Sequence, residues 1–309
     1  MKREIKGKVV KGLGGLFEIL TEDGKERFSC RAKGTLKRDE EKLLIGDNVR
    51  VTVDDETPDG VVISEILPRK NSLIRPPLAN LDMLFMVFAA AKPTPVLETV
   101  DKLISIAEHN YITPVIVITK SDLSDDGALA EFSHIYERAG YDVFVTSSET
   151  GEGIDALSAF VKEKVRGGTL AAFAGASGVG KSTIMNSLFP GMALATSEIS
   201  RKIERGRHTT RHVEIFEIGE DGGFLADTPG FSLLDFERFD FFDIDELLPT
   251  FKEIAALVGK CRYADCAHVG EGVDECEIAR AAADGRIGRT RLDSYRAIYN
   301  VLKAKNKYK

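Results

Sequence analysis

No apolar run in this 309-residue chain approaches the length needed to cross a bilayer, which argues against any membrane-spanning helix. The N-terminal stretch MKREIKGKVVKG carries charge where a secretory signal would carry an apolar core, so the expected compartment is the cytoplasm. Cysteine is scarce. The four present, at positions 30, 261, 266 and 276, read in a reducing compartment as thiols or metal ligands rather than disulfides. An excess of positive charge is also missing. The net charge of −7 argues against non-specific nucleic-acid binding by the chain as a whole. What is there in quantity is apolar residue, 43% of the chain, enough for ordinary cores. The length suggests two or three domains.

Residues 1–70 carry five short strand patterns: Glu4–Val10, Leu16–Leu20, Glu26–Cys30, Asn48–Val53 and Val61–Leu67. Turn signals at Gly12–Gly15, Asp23-Gly24 and Gly46-Asp47 separate them. This spacing predicts a small closed barrel of the OB type, with Cys30 in its core. The pattern suits a nucleic-acid binder and a packing module equally. After a Pro-containing connector at 71–82, apolar strands alternate with helices from Leu81 to Ala226. One helix, Val96–Asn110, places Leu97, Val100, Leu103, Ile104 and Ala107 on one face. The rhythm predicts a doubly wound, mostly parallel α/β domain over 71–235, with ligands beyond the carboxyl ends of the strands. Residues 236–309 are helical in pattern, hold three cysteines and a histidine, and form a third, mainly helical domain.

GASGVGKS, residues 175–182, fits G-x-x-x-x-G-K-[ST] at every fixed position. It lies between the apolar strand Leu170–Ala174 and a helical segment, Lys181–Phe189. In that setting Gly175, Ala176, Ser177, Gly178, Val179 and Gly180 aim backbone N–H groups at one spot, and the helix N-terminus adds partial positive charge. Lys181 is placed to reach the outer phosphates, and Ser182, followed by Thr183, to hold magnesium.

Thr119-Lys120-Ser121-Asp122 follows the strand PVIVI. The Asp122 carboxylate can accept from N1–H and the exocyclic amine of guanine, a donor pair adenine lacks, while the Lys120 stem packs over the base. Asn is the usual first residue of this tetrad; here it is Thr. Thr146-Ser147-Ser148, after DVFV, is the candidate second base-contacting loop. Asp227-Thr228-Pro229-Gly230 fits D-x-x-G, with Asp227 holding magnesium through water and the Gly230 N–H on the γ-phosphate. In GRHTTRH, residues 206–212, Thr210 is preferred over Thr209 as the cap on magnesium and γ-phosphate. Phe231 stands where many GTPases carry a water-orienting Gln, which leaves His208 as the nearest group to place the attacking water. Its other reading is a solvated or RNA-contacting loop histidine. Lys181, magnesium and the loop amides would stabilise the transferring charge. Thr119, Thr146, Gly175 and Asp227 each fall just past a predicted strand, as one shared site requires. The base-reading tetrad precedes the phosphate loop, the reverse of the ordinary GTPase order.

Cys261-x4-Cys266-x-His268-x7-Cys276 offers three thiolates and one imidazole, a standard tetrahedral set for one structural zinc ion. The alternatives are a redox pair or unrelated buried thiols. Two stretches are locally basic: 201–212, and the C-terminus from Arg286, with Arg289, Arg291, Arg296, Lys303, Lys305, Lys307 and Lys309 against only Asp293. With Tyr295, Tyr299 and Tyr308 nearby, the second is a candidate RNA contact, or else an ordinary charged helix end.

In chain order these features, with R-x-N-S-L-x-R-P at 69–76, A-N-x-D at 79–82, GASGVGKST at 175–183, GRHTTR at 206–211 and DTPGF at 227–231, resemble the ribosome small-subunit-dependent GTPase A family (RsgA, YjeQ), which are circularly permuted GTPases. The resemblance covers nearly the whole chain. The departures are Thr119 and a stretched gap between His268 and Cys276. The resemblance implies hydrolysis of GTP to GDP, with magnesium, in late maturation of the small ribosomal subunit. It also implies stimulation by that subunit and rRNA contacts from the barrel and zinc domain. The chain leaves D-x-x-G directly for the zinc domain, so nucleotide state is expected to set that domain's orientation. Two other readings stay open: a nucleotide-gated RNA-binding scaffold, and a permuted GTPase acting on the large subunit. Nothing in the sequence demands more than a monomer.

Overall fold

The computed structural model describes residues 2–33, 42–54, 56–57, 60–190, 213–219, 221–227, 236 and 238–306. Strands β1 (Lys2–Leu13), β2 (Leu16–Thr21), β3 (Arg27–Ala32), β4 (Asn48–Asp54) and β5 (Val61–Ile66) close a barrel in the order β1-β2-β3-β5-β4. β4 alternates strictly, with Val49, Val51 and Val53 inward, because successive side chains of a strand point to opposite faces. These valines join Val9, Ile19, Ile63 and Cys30 in one core cluster, as expected for Cys30. β1 serves two neighbours. It pairs with β4 through its first half and β2 through its second, and a register shift between Val9 and Lys11 accommodates the turn.

The connector forms a small hairpin, β6 (Ser72–Leu73) and β7 (Leu78–Ala79). The polar motif residues around it are ties. Asn71 bonds the backbone of Leu81 through both its oxygen and its nitrogen, and Asn80 does the same for Lys70 N and Gly46 O. Arg69 grips buried Asp47 at 2.6 and 2.8 Å.

Beyond lie β8 (Met83–Ala89), α1 (Leu97–His109), β9 (Thr113–Thr119), α2 (Asp126–Arg138), β10 (Asp142–Val145), α3 (Ile154–Lys164), β11 (Leu170–Ala174) and α4 (Lys181–Leu188). Next come β12 (Glu214–Ile218), β13 (Gly223–Asp227), α5 (Lys252–Ala255), α6 (Glu277–Ala283) and α7 (Arg289–Asn306). The chain packs as two compact units. One comprises residues 1–83, 159–173 and 191–231; the other comprises 84–158, 174–190 and 232–309. In the first, β11 and β13 are parallel, while β12 is antiparallel to β13. Only a short turn joins β12 to β13, and a short turn cannot return a strand in parallel. In the second, strands follow the order β10-β9-β8, with β9 and β10 parallel. Every residue of β8 is buried, as is β9 beyond Thr113, the pattern of strands covered on both faces.

The buried arc of α1 is wider than its sequence spacing predicts. Val100, Leu103, Ile104 and Ala107 are buried as expected, but so are Asp101, Ser105 and Ile106, while Leu97 is only half-buried. The reason is that α7 packs against α1. Asp101 meets Arg291 there, with both side chains wholly buried. Arg291 and Tyr295, which the charge pattern places among RNA-facing residues, are therefore inside. Arg286 is tied to Glu277 and Asp284, and Arg296 to the His268 carbonyl.

Candidate nucleotide site and metal cluster

The phosphate loop runs from the end of β11 to the start of α4, as its sequence requires. Gly175 has φ +148, and a Cβ there would collide with the Val87 carbonyl of β8. Only glycine lets the loop pass this close to the neighbouring strand. Gly178 and Gly180 also take positive φ, and Gly180 caps α4. Val179 is buried and anchors the loop, whereas Ala176, Ser177 and Gly178 are exposed, as are Ser182 and Thr183 in the first turn of α4. Lys181 Nζ rests on the carbonyls of Gly175 and Ala176, each at 2.7 Å, and burial lowers its pKa from the ordinary lysine range. Phosphate oxygens are the charge-complementary partners for such an ammonium.

The Thr119–Asp122 tetrad, the candidate base reader, is bound to this loop. Thr119 is buried at the end of β9 and donates its hydroxyl to Val179 O, with Phe88 O as a second contact at 3.2 Å. A hydroxyl has one hydrogen where an Asn amide has two, so Thr119 supplies a single firm tether. Lys120 adopts left-handed backbone angles (φ 59), and its Nζ donates to Gly178 O at 2.7 Å and Lys92 O at 2.6 Å. Two neighbouring residues of the tetrad thus fix the phosphate loop directly.

Asp122 is exposed, and its orientation is set from behind. Ser147, buried after β10, accepts N–H bonds from Glu149 and Thr150 at 3.2 Å each and donates to Asp122 Oδ1 at 2.5 Å. With its acceptor positions taken by two amides, the hydroxyl hydrogen is directed at the carboxylate. Ser121 Oγ donates to Glu152 Oε2 at 2.6 Å, and Thr146 Oγ1 to Ile118 O at 3.1 Å. Ser148 is exposed. Glu152, Lys92 and Phe88 carry parts of this network that no sequence signal marks.

A cavity of about 240 Å³ opens beside the loop. Thr99, Val100 and Leu103 of α1 line it together with Gly175, Ala176 and Val179.

Asp227 ends β13 directly opposite Glu214 of β12. Burial, then the Glu214 charge, raises its pKa above the usual carboxylate range. Its carboxylate has no hydrogen bond or ion pair among the described residues, and Glu214 is engaged by Lys11 Nζ of the barrel at 2.8 Å. His208, Thr210 and Gly230 lie outside the described residues.

The four metal-ligand candidates come together. Their ligand atoms all lie within 4.8 Å of one another. His268 Nδ1 is 3.6, 3.3 and 3.5 Å from the sulfurs of Cys261, Cys266 and Cys276, and the Cys261 and Cys276 sulfurs are 3.9 Å apart. A tetrahedron with about 2.3 Å Zn–S and 2.0–2.1 Å Zn–N bonds has edges of about 3.8 Å between sulfurs and about 3.5 Å from sulfur to nitrogen. The set can therefore hold one zinc ion. Cys276 also caps α6, accepting from Ala279 N at 3.4 Å. Burial raises the Cys266 and Cys276 thiols, so a metal would displace protons on binding.

The chain is similar to known proteins over nearly its whole length. Residues 66–237 match the family model described as RsgA GTPase, and residues 6–62 that of the RsgA N-terminal domain. The chain is 39% identical to the small ribosomal subunit biogenesis GTPase RsgA of Agathobacter rectalis, over 98% of this chain and 99% of that protein. The crystal structure of YjeQ from Thermotoga maritima matches with a TM-score of 0.77 at 32% identity, covering 97% of this chain and 99% of that one. The crystal structure of YloQ, a circularly permuted GTPase, matches with a TM-score of 0.76 at 31% identity, covering 98% of this chain and 96% of that one.

Proposed function

The chain belongs to the RsgA GTPase family and is a GTP hydrolase, and from that premise we propose that it acts in late maturation of the small ribosomal subunit, which stimulates its turnover. The observation that carries the reading is the tie between base-reading tetrad and phosphate loop, Thr119 to Val179 and Lys120 to Gly178, which sets guanine and phosphate recognition in one frame. Asp122, oriented by Ser147, reads guanine, with Thr146 and Ser148 completing that loop. The amides of residues 175–180 with Lys181, Ser182 and Thr183 hold the phosphates.

Magnesium suits the donors offered. The Ser182 hydroxyl and Asp227 carboxylate are hard oxygen ligands. Asp227, desolvated and beside a second carboxylate, is a group a cation would stabilise. When bound, magnesium supplies charge stabilisation for γ-phosphoryl transfer. Thr210 and Gly230 complete the γ-phosphate contacts and His208 places the water, on the strength of their sequence positions. The cysteine–histidine set holds zinc as a structural ion. The barrel and exposed basic residues such as Arg289 and Lys303 contact rRNA, and the protein works as a cytoplasmic monomer. No helix among the described residues is long and apolar enough to cross a membrane.

The test is GTP turnover alone, with purified small subunits and with purified large subunits. Acceleration by small subunits only is the expected result; no response, or an equal response to both, overturns the assignment. Ser147→Ala frees the Asp122 carboxylate from its orienting donor. GTP binding then weakens by about 1.5–3 kcal/mol, tenfold or more, with a matching loss of preference over ATP. Competition of both nucleotides against a fluorescent GDP analogue measures this.

A further inference from the structure

Arg291 is the largest side chain among the fully buried described residues, and it joins elements far apart in sequence. Its Nη1 donates to Asp101 of α1 at 2.7 Å, and its Nε and Nη2 donate to Glu253 of α5 at 2.7 and 3.3 Å. Aromatic rings box the guanidinium, whose centre lies 4.4 Å from the Phe251 ring centroid, 5.7 Å from that of Tyr141 and 6.0 Å from that of Tyr136. Burial works against the Arg291 charge, and the two carboxylates hold it in place. A planar fork with five fixed donors can satisfy two acids in this box in few ways, and an ammonium cannot reproduce it.

For stability alone, apolar side chains would fill such a space as well or better. What the ion cluster adds is direction: it fixes α7 and α1 in one register. α1 then faces two ways. Asp101 holds the C-terminal helix, while Thr99, Val100 and Leu103 line the cavity that β8 and the loop residues Gly175, Ala176 and Val179 also line. These positions share two turns of one helix, so a shift at Asp101 moves the cavity wall with it. Such a shift changes the shape of the cavity that the phosphate loop also lines.

We propose that Arg291 is a positioning residue for the nucleotide site, fixing through Asp101 where α1 stands against the phosphate loop, so that the C-terminal lobe sets how firmly that loop holds nucleotide. The inference rests on reading 175–183 as a phosphate loop. It gives the C-terminal lobe a route to the site through α1.

The experiment uses the full-length, zinc-loaded chain and follows release of a fluorescent GDP analogue by stopped flow, beside thermal unfolding. Arg291→Lys keeps the charge but loses the fork, and release is expected at least fivefold faster than in the parent. A barrel-core substitution at Ile19, chosen for an equal drop in Tm, is expected to release at the parental rate. Parental release from Arg291→Lys overturns the proposal, as does equal acceleration in the Ile19 control, which would reduce the effect to lost stability. If Arg291→Lys does not fold, Glu253→Gln leaves the Asp101 bond and should accelerate release about twofold; an unchanged rate there also overturns it. Failure of the parent itself to bind the analogue is a separate result, which removes the guanine-nucleotide reading and this inference with it.

Discussion

In the barrel, Val9, Ile19, Val49, Val51, Val53, Ile63 and Cys30 form one apolar cluster. In the C-terminal lobe, residues 236–306, Phe251, Ile278, Leu292 and Ile298 are interleaved with a buried arginine, its partner Glu253 and a set of candidate metal ligands. In the first region, the side chains of the apolar cluster are held by many non-directional contacts, each small. The second relies on a few directional ones, each large, whose loss leaves desolvated charge or unfilled ligands behind. The difference predicts graceful decline in one region and abrupt failure in the other.

On the proposed zinc reading, removing the metal should break the comparison most widely. Structural zinc contributes about 10–16 kcal/mol in small metal-dependent folds. A strong chelator, or Cys276→Ser, should therefore strip amide protection from residues 260–288 while the barrel strands stay protected. Hydrogen exchange resolves the two regions, and simultaneous loss in both would mean that they do not differ in kind. Next comes Arg291→Met, which leaves two buried acids unpaired and should cost about 3–5 kcal/mol in denaturant unfolding. The sharper version replaces all three partners, adding Asp101→Leu and Glu253→Leu. Recovery of most of the lost stability is expected, because the penalty lies in the orphaned charge. The smallest effect should be in the barrel, where Ile19→Val removes one methylene at a cost of about 0.5–1.5 kcal/mol. A loss as large as that of Arg291→Met would show the barrel to be as brittle as the lobe.

Much of this was legible in the sequence wherever the signal is local. The barrel strands announce themselves by alternation and by glycine turns, and the phosphate loop by glycines that its close pass by Val87 demands. The candidate metal ligands fall within one short stretch, so their convergence needs little long-range information. Asp101 and Arg291 show the limit. A charged residue on a helix reads as solvent-facing, and its partner lies 190 positions away. Periodicity carries no sign of what packs over a face. Ser147 is an intermediate case. Its place after a strand was visible, but its control of Asp122 follows from two backbone amides that occupy its acceptor positions. The Thr119 departure from Asn likewise became interpretable only with Val179 O in view.

The pairing of Lys11 with Glu214 has a consequence for how the enzyme could be dissected. Glu214 sits across from Asp227 on a hairpin, where like charges repel. The barrel supplies the neutralising ammonium, acting as an intramolecular counterion. A version trimmed of its first seventy residues is thus more than a shorter protein: it exposes a second bare acid at the strand end where the cation is expected, and its metal requirement would differ from that of the intact molecule.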